Sequence, residues 1–420
     1  MKAVAVVGAG PAGFYTVDSL SKADPTLRVD LIERLPFPFG LVRYGVAVDH
    51  QGTKQVAQVF ARTMRRPNVS FFGGVELGRT VSIAELEARY SAVVLATGAA
   101  VGRKVAIPGA ELPSSVAGCD LTAWFNGHPD RAAWAPPRRI RSVCVIGNGN
   151  VSLDVARLLA KSAEELAPTD ANPAALIWLA ENEIAEIHLC GRQGPGHARF
   201  TAAMLAEFTS LARFRPVVDR AAVQAPPGPN LAALAVLQRI AGAEPDARLP
   251  IHFHFGLLPV SYDGNILTLR EAGTAAERRL PADLLVHAVG QYAAPVPDLP
   301  YDESCASIRH TDDQVPGSGK AYVAGWAGRP GEGVIASHRE RAQNLAQRIL
   351  ATLREAPELP EDAGIAALLA GRGIRAISWV DWTLLDNAEI DRGRGKGRVR
   401  EKFTSWPAAE AALRELRSAD

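Results

Sequence analysis

The strongest constraint on the fold is a local design that occurs twice. Ala3-Val4-Ala5-Val6-Val7 is a short β-rich apolar run that leads into Gly8-Ala9-Gly10-Pro11-Ala12-Gly13 and then a helical pattern ending near Ser21. Val143-Cys144-Val145-Ile146 leads likewise into Gly147-Asn148-Gly149-Asn150-Val151-Ser152 and a helical run through Leu159. Apolar runs of this kind suit parallel strands buried on both faces. In such a unit the first glycine permits a tight turn, the second a close approach of backbone to a pyrophosphate, and the third close packing of helix on strand. The helix start offers free N–H groups and the positive end of its dipole to phosphate. In the second copy Ser152 replaces the last glycine and is still small. Two copies in one chain predict one dinucleotide-binding domain inserted into another.

The residues after each unit distinguish the nucleotides. The first is followed by a strand over Arg28 to Ile32 that ends in Glu33, about 20 residues beyond Gly13, where an acid pairs with ribose hydroxyls and repels a 2′-phosphate. That favours FAD or NAD over NADP. Val93-Val94-Leu95-Ala96-Thr97-Gly98 is expected to be the third parallel strand of this unit. After the second copy, Ile187-His188-Leu189-Cys190 runs into Gly191-Arg192-Gln193-Gly194-Pro195, with Arg192 where the acid would stand. A guanidinium there suits a 2′-phosphate, and His197 and Arg199 can add positive charge, although a surface arginine at a turn is the plain alternative. Leu284 to Val289 is a further strand, and His287 within it is expected to be packed core.

A strand over Ala321 to Ala324 leads into Gly325-Trp326, then Arg329-Pro330-Gly331-Glu332-Gly333-Val334-Ile335 and a helical run from Ala336. Its glycines suit contact with a flavin or its pyrophosphate. Trp326 either packs on the flavin or belongs to an ordinary core. Arg354 to Glu361 is expected to be a linker. The basic run Arg392, Arg394, Lys396, Arg398, Arg400 and Lys402 is either a solvated loop or a docking surface for an acidic protein.

Composition narrows the chemistry. Lys plus Arg number 46 against 45 Asp plus Glu, so nothing global points to nucleic acid. Cys119, Cys144, Cys190 and Cys305 form no C-x-x-C pair, which disfavours a disulfide framework, a metal or iron–sulfur site, and dithiol redox chemistry. No stretch reads as a secretory signal or a membrane span, and a cytoplasmic enzyme is expected.

The chain resembles the adrenodoxin-reductase family of ferredoxin–NADP reductases, especially its bacterial members. The likeness is most specific over Pro38 to His50, PFGLVRYGVAVDH, against the family's PWGLVRxGVAPDH. It continues in GNGNVSLD at Gly147 to Asp154, in Phe200-Thr201, and in Gly325-Trp326 followed by Gly333 to Ile335. The resemblance implies an α/β chain of two Rossmann-like domains, with residues 104–318 holding NAD(P) and inserted into an FAD domain formed by 1–103 and 319–420. It implies FAD contacts at Ala12, Glu33, Leu41, the backbone near Glu76, Trp326 and Gly333, Val334 and Ile335, beside Gly8, Gly10, Pro11 and Gly13. It implies NAD(P) contacts at Gly147, Asn148, Gly149, Asn150, Val151, Arg192 and Gly333. His50 would lie near the flavin edge where the nicotinamide stacks. The implied activity carries a hydride from NADPH or NADH to FAD, then single electrons to a [2Fe–2S] ferredoxin that feeds an oxygenase such as a cytochrome P450. A ferredoxin-independent diaphorase or quinone reductase and an NAD(P)H-sensing binding protein are the alternatives.

Four departures from the family pattern stand out. Gln193 replaces a second adjacent arginine, losing a charge-assisted fork worth about 1.5–3 kcal/mol, so selectivity for NADPH over NADH should be weaker. Met204 replaces the acid after Phe-Thr, leaving Glu207 as the nearest carboxylate. Glu332 brings a carboxylate to a position where the family has threonine. Residues 225–260 are shorter and carry fewer bases than the family segment that meets acidic ferredoxins.

Overall fold

The computed structural model describes residues 1–224, 228–360 and 364–419. The segment 225–260 and the Arg354–Glu361 linker therefore run partly outside the described residues.

The first sheet is built from β1 (Ala3–Val7), β2 (Arg28–Glu33), β3 (Val69–Gly73), β4 (Ala92–Leu95) and a last strand from far downstream, Ala321–Val323. Its order is Ala321–Val323, β4, β1, β2, β3, and every pair is parallel. β4 is thus the fourth strand of its unit in chain order rather than the expected third. It pairs with the opposite edge of β1 from β2, and β3 is the third. The sequence hides β3 because its burial alternates: Ser70 is exposed and Val69, Phe71 and Gly73 are buried, as on a partly covered edge strand. Helix α1 (Pro11–Ala23) starts with proline at its first position and packs Phe14, Val17 and Leu20 into the core beneath β1 and β2.

The second sheet orders Ser115–Ala117, Leu284–His287, Ser142–Ile146, Glu186–Gly191, Leu249–Phe255 and Phe214–Val218, again all parallel. Its glycine loop opens α2 (Asn150–Ala160), which buries Leu153, Val155, Ala156, Leu158 and Leu159. An antiparallel three-stranded sheet, Leu257–Tyr262, Ile266–Glu271 and Glu277–Pro281, covers its other face against Cys144, Ile146 and Cys190. All four cysteines are free. His287 is core, as expected: its Nε2 lies 2.8 Å from Ser115 Oγ, and its Nδ1 accepts the Val105 N–H at 3.1 Å. Burial lowers its pKa to about 4.

The chain returns to the first sheet, then continues through α3 (His338–Leu353) against α1 and on to α4 (Trp379–Arg394). The basic run, which starts in the last turn of α4, is not an unpaired cationic surface. Arg392 and Lys396 bind Glu401, Arg400 binds Asp386 and reaches Glu389 at 3.3 Å, and Lys402 lies buried 2.7 Å from Asp170. Arg394, paired with Asp391, and Lys396 keep most of their side chains in water. No helix among the described residues is long and apolar enough to cross a membrane.

Candidate nucleotide and electron-transfer site

The two glycine loops have the same construction. Gly8 (φ +109°) and Gly147 (φ +137°) sit where a Cβ would fall 2.2 Å from a carbonyl oxygen, that of Ala96 in one unit and of Ala288 in the other. Only glycine fits both the torsion and the space. Gly10 and Gly149, by contrast, have nothing within 4 Å of a Cβ position, so the backbone at both is bare toward solvent at the start of a helix. That is the open cradle a pyrophosphate requires. A Cβ on Gly13 would lie 1.9 Å from the Gly8 carbonyl oxygen, whereas Ser152 donates its hydroxyl to the Gly149 carbonyl at 2.6 Å.

Glu33 ends β2 beside the first loop. Its Oε2 accepts the Ala9 N–H at 2.8 Å and its Oε1 the Leu35 N–H at 3.0 Å. Burial pushes its pKa up, against the pull of these two bonds. An ionised carboxylate has further lone pairs to offer, so the donor set fits the ribose hydroxyls of FAD. The neighbouring residues converge here. Phe39 N–H donates to the Ala9 carbonyl, and a Cβ on Gly40 would come within 3.0 Å of the Gly10 Cα, which sets Leu41 beside the loop. Val75 N–H donates to the Glu33 carbonyl, bringing the Glu76 backbone to the same edge. Gly325 lies against Ala12, and Trp326 Nε1–H donates to the Glu332 carbonyl at 3.0 Å, which ties the Gly333-Val334-Ile335 turn over the loop. Val334 is 63% exposed. The Glu332 carboxylate pairs with Arg341 at 3.1 Å, so its charge is neutralised from α3.

At the second loop the Asn148 side chain lies over Gly191, with its Nδ2 and Oδ1 buried and without a hydrogen-bond partner. A buried amide left unpaired marks a place for a polar ligand. The residues present therefore fit a dinucleotide at each loop. Arg192 and Gln193 are exposed at the end of the strand Glu186–Gly191.

His50 brings the two units together. It sits at the start of a short helix, and its Nε2–H donates to Glu207 Oε2 at 3.1 Å. Its Nδ1 lies 3.5 Å from the Arg157 guanidinium and 3.7 Å from Asp154. Arg157 grips Asp49 with two bonds, 2.7 and 3.0 Å, and also binds Asp154 at 2.7 Å, while Lys161 reaches Asp49 at 2.7 Å. Against burial, Arg157 and Lys161 hold Asp49 well below the usual carboxylate range. Burial raises Asp154, against the pull of Arg157 and His50. Glu207, the nearest carboxylate to the position that Met204 fills, pairs with His50. Its six-residue distance from Thr201 and its partner 157 residues upstream left no local signal.

Residues 2–189 match the family model of pyridine nucleotide-disulphide oxidoreductases. The NADPH-ferredoxin reductase FprA of Mycobacterium tuberculosis is 35% identical over 96% of this chain and 97% of its own. Human mitochondrial NADPH:adrenodoxin oxidoreductase is 34% identical over 95% and 89%. The chain belongs to this family of reductases. A structure of the Mycobacterium tuberculosis FprA in complex with NADPH superposes with a TM-score of 0.93 at 33% identity, covering 99% of both chains. The reductase fold therefore extends through α4 and the basic run, well beyond the region of the family model.

Proposed function

We propose that this reductase takes electrons from NADPH through FAD to a [2Fe–2S] ferredoxin. The observation that carries the proposal is the pair of equivalent glycine cradles, at Gly8–Gly13 and Gly147–Ser152, linked by the His50–Glu207 contact. When bound, the flavin accepts a hydride from the nicotinamide and releases electrons singly, chemistry that belongs to the cofactors.

The chain's own residues position and shield. Gly8, Gly10, Pro11, Ala12 and Gly13 receive the FAD pyrophosphate and Glu33 its ribose, while Leu41, the Glu76 backbone, Trp326 and Gly333 to Ile335 complete the FAD contacts. Gly147 to Val151 receive the nicotinamide nucleotide, with Arg192 on its 2′-phosphate. The His50 ring is held in place by Glu207 at Nε2 and by Arg157 and Asp154 around Nδ1. It orients groups at the junction of the two units, where a correct approach of the two rings matters more than acid catalysis. The FAD domain comprises 1–103 and 319–420, and the NAD(P) domain 104–318. The test is NADPH-driven reduction of cytochrome c with and without a [2Fe–2S] ferredoxin. Strong dependence on ferredoxin supports the proposal, and a rate unmoved by it favours a diaphorase.

A further inference from the structure

We infer that Arg199 supplies the second positive charge on the adenosine 2′-phosphate, so that the arginine missing at 193 has been relocated rather than lost. The inference rests on the proposed nicotinamide-nucleotide site.

Three observations carry it. First, Arg192 and Arg199 both flank Asn148. Gly191, immediately before Arg192, lies under the Asn148 amide, and the Arg199 N–H donates to the Asn148 carbonyl at 2.7 Å. The Phe200 N–H shares that carbonyl at 3.1 Å, and the Thr201 N–H donates to Asn150 Oδ1 at 2.9 Å. The segment carrying Arg199 is thus fastened by its main chain onto the glycine loop itself. Second, the guanidiniums of Arg192 and Arg199 are exposed, and among the described residues neither makes an ion pair or a side-chain hydrogen bond. Most arginines that border carboxylates here, such as Arg157, Arg329 and Arg400, are committed to them. Two uncommitted arginines, carried on main chain that meets Asn148 and its unpaired buried amide from two sides, offer a dianion its counter-charge.

Third, the other candidates point elsewhere. The His197 imidazole packs over Gly228, where a Cβ would lie 2.7 Å from its Nδ1. Gln193 is uncharged, and only its main chain is engaged, its carbonyl accepting the Gly256 N–H at 3.3 Å. Arg199 is therefore an uncommitted cation fastened to the same glycine loop and able to complete a fork with Arg192, and NADPH preference survives the loss of adjacent arginines.

The test uses the FAD-loaded full-length protein and calorimetric titration with two probes that differ only in the phosphate at issue, adenosine 2′,5′-bisphosphate and adenosine 5′-monophosphate. Arg199→Ala should weaken the bisphosphate about 10-fold or more while leaving the monophosphate within about twofold. Because Arg199 is exposed and unpaired, the variant should keep its flavin spectrum and melting temperature. Equal weakening of both probes would assign Arg199 to the 5′-phosphate and overturn the inference, as would no change in either. Arg192→Ala separates the two levels. If it weakens the bisphosphate and Arg199→Ala does not, only the relocation fails. If neither variant affects the bisphosphate, the nucleotide site itself lies elsewhere.

Discussion

At the scale of single residues, the account turns on a few side chains whose neighbours leave them little choice. Glu33 is one. Two backbone N–H groups fix its carboxylate beside the first glycine loop, so the acid is preset before a ribose arrives. Glu33→Ala removes that acceptor and the two bonds that shape the loop. Flavin retention should fall by about tenfold or more, measured as the ratio of flavin to protein absorbance after gel filtration. A fully flavinated variant would remove Glu33 from the site. The glycines and Glu33 were legible because the turn, the cradle and the acid follow one another at short, fixed spacings. Glu207 was not legible as the partner of His50, since only the docking of the two units joins them. The orphaned Asn148 amide was hidden for the same reason, because its burial depends on Gly191 in the neighbouring strand.

At the scale of elements, strands buried on both faces announced themselves as apolar runs, whereas β3 and the antiparallel cover did not. The basic run shows the reverse failure. Six cations in a Gly-punctuated stretch look like a surface, but Glu401 inside the run, carboxylates of α4 and the distant Asp170 pair with them. Glu389 anchors this packing. It is fully buried, binds Arg43 at 2.5 Å and Arg400 at 3.3 Å, and accepts the Phe403 N–H at 2.9 Å. Arg43 in turn lies 4.8 Å over Phe37 and 5.1 Å over Trp382. Glu389→Ala strands Arg43 in an apolar setting and should cost about 3–5 kcal/mol by denaturant unfolding. A loss below about 1 kcal/mol would mean that water replaces the carboxylate.

The strands Glu186–Gly191 and Leu249–Phe255 carry a second element-scale device. His188 stacks 5.0 Å from His252 and 5.3 Å from His254, with its Nδ1 3.1 Å from His254 Nε2 and its Nε2 3.2 Å from Glu186. Burial, with the neighbouring histidines, lowers His188 to about 3 and His254 to about 4, and burial with Arg215 lowers His252. His188 and His254 are neutral when folded and take up protons when unfolded below about pH 6.5. The unfolded state thus binds more protons between about 6.5 and 4, and stability falls as pH drops through that window. His188 and His254 each add at most about 1.4 kcal/mol per pH unit to that slope. Replacing His188 and His254 with glutamine should flatten the slope, read from melting temperatures at pH 7 to 4.5. An unchanged slope would place the acid sensitivity elsewhere.

At the scale of the whole molecule, buried charge ties the two units together. Asp49 of the first unit is gripped by Arg157 and Lys161 of the second. Asp170 of the second takes both the part-buried Lys54 and the buried Lys402. Burial lowers the pKa of both lysines, against the pull of Asp170. Pairs of this kind add little net stability but penalise any other docking of the units, because separating them leaves charge unpaired in a dry interface. The two glycine cradles are thereby held in one relation to His50 and Glu207, which is what passage of electrons between two bound nucleotides demands. The direct test is anaerobic stopped-flow mixing of the flavin-loaded protein with NADPH, then with oxidised [2Fe–2S] ferredoxin. The account predicts rapid bleaching of the flavin band, followed by its recovery as the ferredoxin is reduced. A purified protein without flavin, or a flavin that NADPH bleaches and ferredoxin fails to restore, would contradict it.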